Sequence, residues 1–230
     1  MKIPSIKALV PMKHDSERVP GKNHRLLLGK PLFHWILESL SDSKYIDEII
    51  VNTDSKLIEQ ESARYSKVTT LWRPDFLRGK VGIRALIEYD LKHSQGEYYL
   101  QTHCTNPLLK SETIDNAIET FFTQSCHDSL FSVTPLHARF YWPDGNAVNH
   151  DPDSPNLRTQ DLRPIYEENS CTYIFSRSMF DRRRHRLGEN PFLFPIDPYE
   201  AIDIDEEFDF KLAEVLMKER LRLKEYKSRK

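Results

Sequence analysis

The stretch IKALVPMKHDSERVPGKN, Ile6 to Asn23, decides how the rest of the chain is read. Its first part, IKALV, is a short apolar run of the kind that forms a buried strand. Its second part crowds Lys13, His14, Asp15, Ser16, Arg18, Gly21 and Lys22 into one loop. Pro20-Gly21 supplies a turn, so an ordinary polar surface connection is one reading. The sharper reading is that the loop holds phosphates, because three cations lie together and a glycine lets the backbone approach a ligand closely. The spacing is not that of a Walker loop, which requires two glycines around a four-residue spacer and then Lys-Ser or Lys-Thr. Nor is it a dinucleotide fingerprint, since the spaced glycines are absent. A strand that runs into a ligand loop fits an open parallel sheet, where ligands sit at the carboxyl ends of the strands.

The rest of the chain repeats that unit. GKPLFHWILESLSDS carries helical apolar spacing at Leu32, Trp35, Ile36 and Leu40. IDEIIVNTD is a second strand followed by the helix SKLIEQESARY, and VTTLWRP a third followed by VGIRALIEYDLKH, apolar at Ile83, Leu86, Ile87 and Leu91. EYYLQTHCTNP is a fourth strand, and SETIDNAIETFF a helix with Ser111 as its expected cap. This alternation predicts parallel βαβ units covered on both faces, an α/β/α sandwich. After SLFSV the pattern breaks, and ARFYWPDGNAVNHD reads as two strands around a Pro-Asp-Gly-Asn turn, followed by the proline-rich DPDSPNLRTQDLRP. Pro135 to Pro164 is therefore read as an excursion, a subregion of about residues 135–168, before CTYIFS returns to the sheet. DEEFDFKLAEVLMKERLRL closes the fold as a helix with Phe208, Leu212, Val215 and Leu216 on one face, and the tail KEYKSRK is expected to fray. The whole of residues 1–230 reads as one domain with an excursion.

Composition narrows the function. Charged residues make up 30% of the chain and the formal net charge is -2, without the basicity of a dedicated nucleic-acid binder. The basic run DRRRHR, Asp181 to Arg186, lacks flanking stacking aromatics and reads as a solvated face. No segment has signal-peptide or membrane-spanning character, so a cytoplasmic location is expected. Cys104, Cys126 and Cys171 are odd in number and lack metal-site spacing, which argues against disulfides and structural zinc; they are expected to be small buried residues. Phe140, Tyr141 and Trp142 beside the turn are read as a core strand or a dimer contact rather than a sugar-stacking platform.

Near the carboxyl end lies AIDIDEEFD. If Ile202 to Asp205 is extended, Ile202 and Ile204 face the core and Asp203 and Asp205 project together, roughly 7 Å apart. Two such carboxylates can share Mg²⁺, which favours one or two carboxylates plus phosphate oxygens and water. The competing reading, Asp205 as a helix cap and Asp203 as a solvated side chain, is favoured for an isolated Asp-x-Asp. Together with the basic loop, the metal reading prevails.

The segments VPMKHDSERVPGKN…GKPL, IIVNTD, RPDFL, THCTNPLL, RTQDLRPIYEEN and IDIDEEFDFKLAE come in an order and spacing that resembles the acylneuraminate cytidylyltransferases, with the CMP-Kdo synthetases as relatives. The resemblance spans nearly the whole chain. It implies a Rossmann-like domain that transfers CMP from CTP to a 2-keto sugar acid and releases pyrophosphate, with a smaller region that supports a homodimer and closes part of the partner's sugar pocket. It implies roles for single residues as well: Lys22 at phosphate, Asn23 at the nucleoside, Arg73 near cytosine, and Asp203 and Asp205 at magnesium. Lys13 and Arg18 would join Lys22 in steadying the pyrophosphate. His103 and Arg84 would lie near the nucleotide, and Arg158, Gln160, Arg163 and Asn169 near the sugar acid. For the two arginines of the excursion a solvated loop closed by ion pairs with Asp161, Glu167 and Glu168 stands beside that role.

Several positions depart from the sialic acid pattern. Lys13 replaces an arginine and loses the planar fork that grips phosphate at two points. Glu17 stands where sialic acid enzymes often carry lysine, and Ser16-x-Arg18-x-Pro20-Gly21-Lys22 is similar to the CMP-Kdo branch. His103 takes the place of a glutamine, and Lys80 and Arg84 replace smaller or acidic residues. These departures keep open a second reading, a nucleotide-sugar-binding protein of the same fold without catalysis.

Overall fold

The computed structural model of the chain describes residues 3–154 and 158–228. Within them the expected alternation is present. Strand β1 (Ile6–Met12) leads through the basic loop to a tight pair, β2 (Leu26–Leu27) with β3 (Lys30–Pro31), and into helix α1 (Leu32–Asp42). There follow β4 (Ile46–Thr53), α2 (Lys56–Ser62), β5 (Val68–Trp72), α3 (Ile83–Lys92), β6 (Tyr98–Gln101) and α4 (Ser111–Thr123). The second half contributes β7 (Ser129–Leu136), β8 (Ile165–Ser176), α5 (Arg177–Arg183), β9 (Pro191–Pro195) and α6 (Glu207–Ser228).

Seven strands form one sheet in the order β5-β4-β1-β6-β8-β7-β9, and every neighbouring pair is parallel except those that involve β8. The period-2 pattern of β1 explains why the sheet is buried on both sides. Ile6, Ala8, Val10 and Met12 pack with α1 and α4 through Phe33, Ile36, Leu37, Ile114 and Ile118, while Leu9 faces Ile87, Leu91, Phe175 and Phe180 on the side of α3 and α5. The result is the three-layer α/β/α sandwich. A third cluster, Leu27, Leu32, Leu108, Ile204, Phe210, Ala213 and Met217, seats α6 against the β2–β3 pair and the loop after β6.

Some expectations are corrected. The helix that begins at Ser111 is not capped by that side chain; Glu200 instead accepts the Lys110 amide at 2.9 Å and its ammonium at 2.6 Å. The buried face of α6 is Phe210, Ala213 and Met217, whereas Phe208 and Val215 are exposed. The helix continues through Ser228, so the expected fraying does not begin at Lys224, and residues 229–230 lie outside the described part. The excursion begins after Leu136 and ends before Ile165, and its residues 155–157 lie outside the described part as well. Its hairpin is reduced to the single bridge Tyr141–Ala147, and Tyr141 and Trp142 face outward instead of forming a core strand. Cys104 and Cys171 are buried as expected, but Cys126 is exposed. Helix α5 and the edge strand β9 were not anticipated, because PFLFP, flanked by prolines, lacks the length and alternation of a strand signal.

Candidate functional site

A cleft of about 590 Å³ opens at the carboxyl ends of β1 and β6, where the reversed strand β8 interrupts the parallel run. It is walled chiefly by the loop after β1, the loop after β5 with Arg73 and Lys80 and the start of α3, the loop after β6 with His103 and Thr105, Ser170 of β8, and the stretch before α6 with Asp203 and Asp205.

The first loop is shaped by a few anchors. Val19 is fully buried, Lys22 N–H donates to its carbonyl at 3.1 Å, and Gly21 sits at φ 64°, a left-handed conformation that glycine adopts without strain. The turn places the Asn23 amide inside, where its Nδ2 donates to the Lys13 carbonyl at 2.7 Å and its Oδ1 accepts from Cys104 Sγ at 3.1 Å. Asn23 thus ties the two ends of the loop together and to the loop after β6. Lys13, Arg18 and Lys22 all reach the cleft wall. Lys22 is nearly buried and donates to the Ile204 carbonyl, with Asp205 Oδ1 3.5 Å away; Arg18 Nη2 lies 2.6 Å from the same oxygen.

Ile202 to Asp205 lies outside the sheet ladder and is held by single bonds, Ile204 N–H to Thr105 O at 2.9 Å and Asn106 Nδ2 to Ile202 O at 3.4 Å. The expected alternation holds: Ile204 is fully buried while Asp203 and Asp205 both line the cleft. The amides of Asp205 and Glu206 are accepted by Asp209, which leaves the Asp205 carboxylate to the cations. Burial raises the Asp203 carboxyl above its usual range, a hydrogen bond from Thr105 opposes this, and the neighbouring Asp205 charge adds to it. Asp203 Oδ1 is buried without a hydrogen-bond partner among the described residues. A buried, unpartnered carboxylate oxygen beside a second carboxylate is a donor set that fits a hard divalent cation.

Arg73 is buried at the cleft wall, Nε donating to Asn52 Oδ1 at 2.8 Å and Nη2 to Asn52 O at 2.9 Å. Asn52 is held in turn by Asp90 Oδ1, 2.5 Å from its Nδ2. His103 joins the opposite wall. The other expected residues lie elsewhere. Arg84 is exposed on α3 beside Glu88 at 3.4 Å and is not part of the wall. Asn169 is buried in β8, accepting from Ser132 Oγ at 2.6 Å and donating to Thr134 Oγ1 at 3.1 Å, so it secures the β7–β8 irregularity. Arg158 pairs with Asp161 at 2.7 Å, and Arg158, Gln160 and Arg163 are exposed on the excursion, away from the cleft of their own chain. Sequence reasoning missed Thr105 and Ser170 in the wall and Asn52 and Asp90 behind it. Ser170 at φ 59° follows Asn169 at that irregularity, and nothing local in the sequence announces it.

With this geometry in view, the comparisons with known proteins are informative. The family described as Cytidylyltransferase matches residues 7–227. The chain is 31% identical to the CMP-N,N'-diacetyllegionaminic acid synthase of Legionella pneumophila, over 92% of this chain and 96% of that one. It is 26% identical to a pseudaminic acid cytidylyltransferase of Campylobacter jejuni, over 91% and 95%. Among solved structures, a CMP:2-keto-3-deoxy-manno-octonic acid synthetase complexed with CTP superposes with a TM-score of 0.67 at 16% identity, covering 94% of this chain and 99% of that one. A 4-diphosphocytidyl-2C-methyl-D-erythritol synthase of Anaerococcus prevotii gives 0.69 at 14%, covering 94% and 100%. These two confirm the Rossmann-like fold. The family match runs through the basic loop, the Arg73 wall and the paired aspartates alike, and the chain belongs to the cytidylyltransferase family, a nucleotidyltransferase.

Proposed function

We propose that the cleft binds CTP and a 2-keto sugar acid of the nonulosonate or Kdo type, and joins CMP to the sugar with release of pyrophosphate. The observation that carries this reading is the meeting of Arg18 and Lys22 with Asp205 beside the unpartnered oxygen of Asp203. Phosphoryl-type transfer demands little covalent help from the protein; positioning and neutralisation of charge supply most of the acceleration. Lys13, Arg18 and Lys22 hold the departing pyrophosphate, and Arg73, fixed by Asn52, presents the remainder of its guanidinium to the nucleotide. Asp203 and Asp205 would hold Mg²⁺. When bound there, the ion supplies charge neutralisation at the α-phosphate and lowers the pKa of an adjacent hydroxyl.

The chain acts as a homodimer in this reading. Tyr141, Trp142 and Val148 are exposed on the excursion, as are Arg158, Gln160 and Arg163, none of which lines the cleft described above, so a second copy is the place where those polar groups can meet a sugar acid.

The test is pyrophosphate release from each of the four nucleoside triphosphates with Mg²⁺, against a panel of 2-keto sugar acids. Release is expected to require CTP and one class of sugar acid, and to fall by about a hundredfold or more in Asp203→Ala/Asp205→Ala with the fold intact by circular dichroism. Near-normal turnover by the double variant would overturn the metal assignment.

A further inference from the structure

The basic run Asp181 to Arg186 ends in a residue whose side chain is largely buried. Arg184 and Arg183 are exposed and pair with Glu88 and Glu189. Arg186 folds inward, its guanidinium 3.4 Å above the centroid of the Tyr173 ring, with Nη1 donating to Gln101 Oε1 at 2.6 Å and Nη2 3.4 Å from Glu168. Gln101 is fully buried at the end of β6, two residues before His103. Its Nε2 lies 3.0 Å from the Thr102 carbonyl and 3.0 Å from His103 Nε2.

These contacts determine where a proton sits. A guanidinium can only donate, so the amide atom that faces Arg186 is the oxygen. The amide nitrogen is then turned to the opposite side, and it too can only donate. One of its hydrogens goes to Thr102 O and the other to His103, whose Nε2 is therefore the bare, accepting nitrogen. The ring proton is left on Nδ1, which has no hydrogen-bond partner among the described residues, in a ring that lines the cleft.

We propose that Arg186 and Gln101 are positioning residues that fix His103 as a neutral Nδ1–H donor, committed to a hydrogen-bond-accepting atom of the bound nucleotide or sugar acid. The proposal rests on the function assigned above for the identity of those ligands, but the placement of the proton does not depend on it. Burial, with Arg186 and Lys22 nearby, pushes the imidazole down to about 4, and Asp205 opposes them; the ring is neutral at pH 7, in agreement with the hydrogen-bond geometry. A neutral donor forms a bond to an acceptor without adding a further positive charge to a cleft already lined by Lys13, Arg18, Lys22, Arg73 and Lys80. Tyr173 and Glu168 have a matching duty: the ring face and the carboxylate hold the guanidinium that orients the amide.

The experiment uses the full-length protein labelled with ¹⁵N in its histidines. In the unliganded protein the His103 Nε2 resonance is expected in the unprotonated, pyridine-like range and Nδ1 in the pyrrole-like range. Gln101→Glu replaces the donor beside Nε2 with an acceptor while Arg186 still pairs with it, and is expected to move the proton to Nε2. Arg186→Met frees the amide to rotate and is expected to mix the two tautomers, with Arg186→Lys restoring the native one in part. Calorimetry then identifies the ligand. A rise of about tenfold in the dissociation constant of CTP in Gln101→Glu assigns the acceptor to the nucleotide, and the same rise confined to the KM of the sugar acid assigns it to the sugar. A wild-type ring protonated at Nε2 would overturn the proposal, as would a shifted proton that leaves both constants unchanged. Failure of every triphosphate to release pyrophosphate, with the proton on Nδ1, would count against the assigned reaction instead.

Discussion

Asp90 shows how one buried group reaches the site without touching it. Its carboxyl is about fully buried, one oxygen accepts from Asn52 and the other has no partner among the described residues. Burial raises it from 3.8 to about 7, against the lowering effects of Asn52 and of Arg73. Because the folded value is the higher one, the native chain binds more protons than the unfolded chain between about pH 4 and 7, so this group's contribution to stability falls as pH rises through that window and is level above it. Asp90→Asn keeps an acceptor for Asn52 and removes the titration. Melting temperatures of the two proteins across pH 4 to 8 should show wild type losing ground to the variant as pH rises to 7; parallel curves would remove the assignment. Neither Asp90 nor Asn52 was legible in the sequence, because each sits in an apolar-patterned element and becomes part of the site only when β4, β5 and α3 come together. That Lys22, Asp203 and Asp205 share one cleft was legible, since each lies in a short local pattern of charged residues at the end of an apolar run.

Among the elements, α6 is where periodicity misled. Apolar residues occur nearly all around it, at Phe208, Phe210, Leu212, Ala213, Val215, Leu216 and Met217, so two faces fit a helical repeat equally well. Contacts far away in sequence make the choice. Arg25 lies 4.1 Å over the Phe210 ring and forms a fork with Glu207, at 2.6 Å for Nη2 to Oε1, and Ile204 pins the approach to the helix. The consequence is measurable by urea denaturation. Phe210→Ala should cost about 3–5 kcal/mol, while Phe208→Ala should stay within about 0.5 kcal/mol of wild type. Equal losses would mean that the helix is seated on the other face. The βαβ half of the chain was read correctly for the opposite reason: β1, β4 and β6 are short apolar runs bounded by polar loops, and nothing competes with that pattern.

At the scale of the molecule, the sheet is parallel on both sides of one reversed strand, and the cleft lies where that reversal breaks the series. The sequence shows the return of CTYIFS to the sheet but not its direction, which depends on the long connection between Leu136 and Ile165. That connection presents Trp142 at 59% exposure. If it mediates dimerisation as proposed, Trp142→Asp should shift the species seen by sedimentation velocity from dimer to monomer and raise the KM for the sugar acid more than that for CTP. A monomeric wild type would exclude it.

The bond from Lys22 to Ile204 O, like the fork from Arg25 to Glu207, joins residues 182 positions apart. Ribosomal synthesis supplies the first member of each pair long before the second; at about 5–20 residues per second, roughly 10 to 40 seconds separate them. Throughout that interval the basic loop exists without its acidic counterparts, whatever the progress of the sheet behind it. Completion of the cleft therefore waits on the synthesis of Ile204 to Glu207, and a fragment released before them carries the basic loop without those partners.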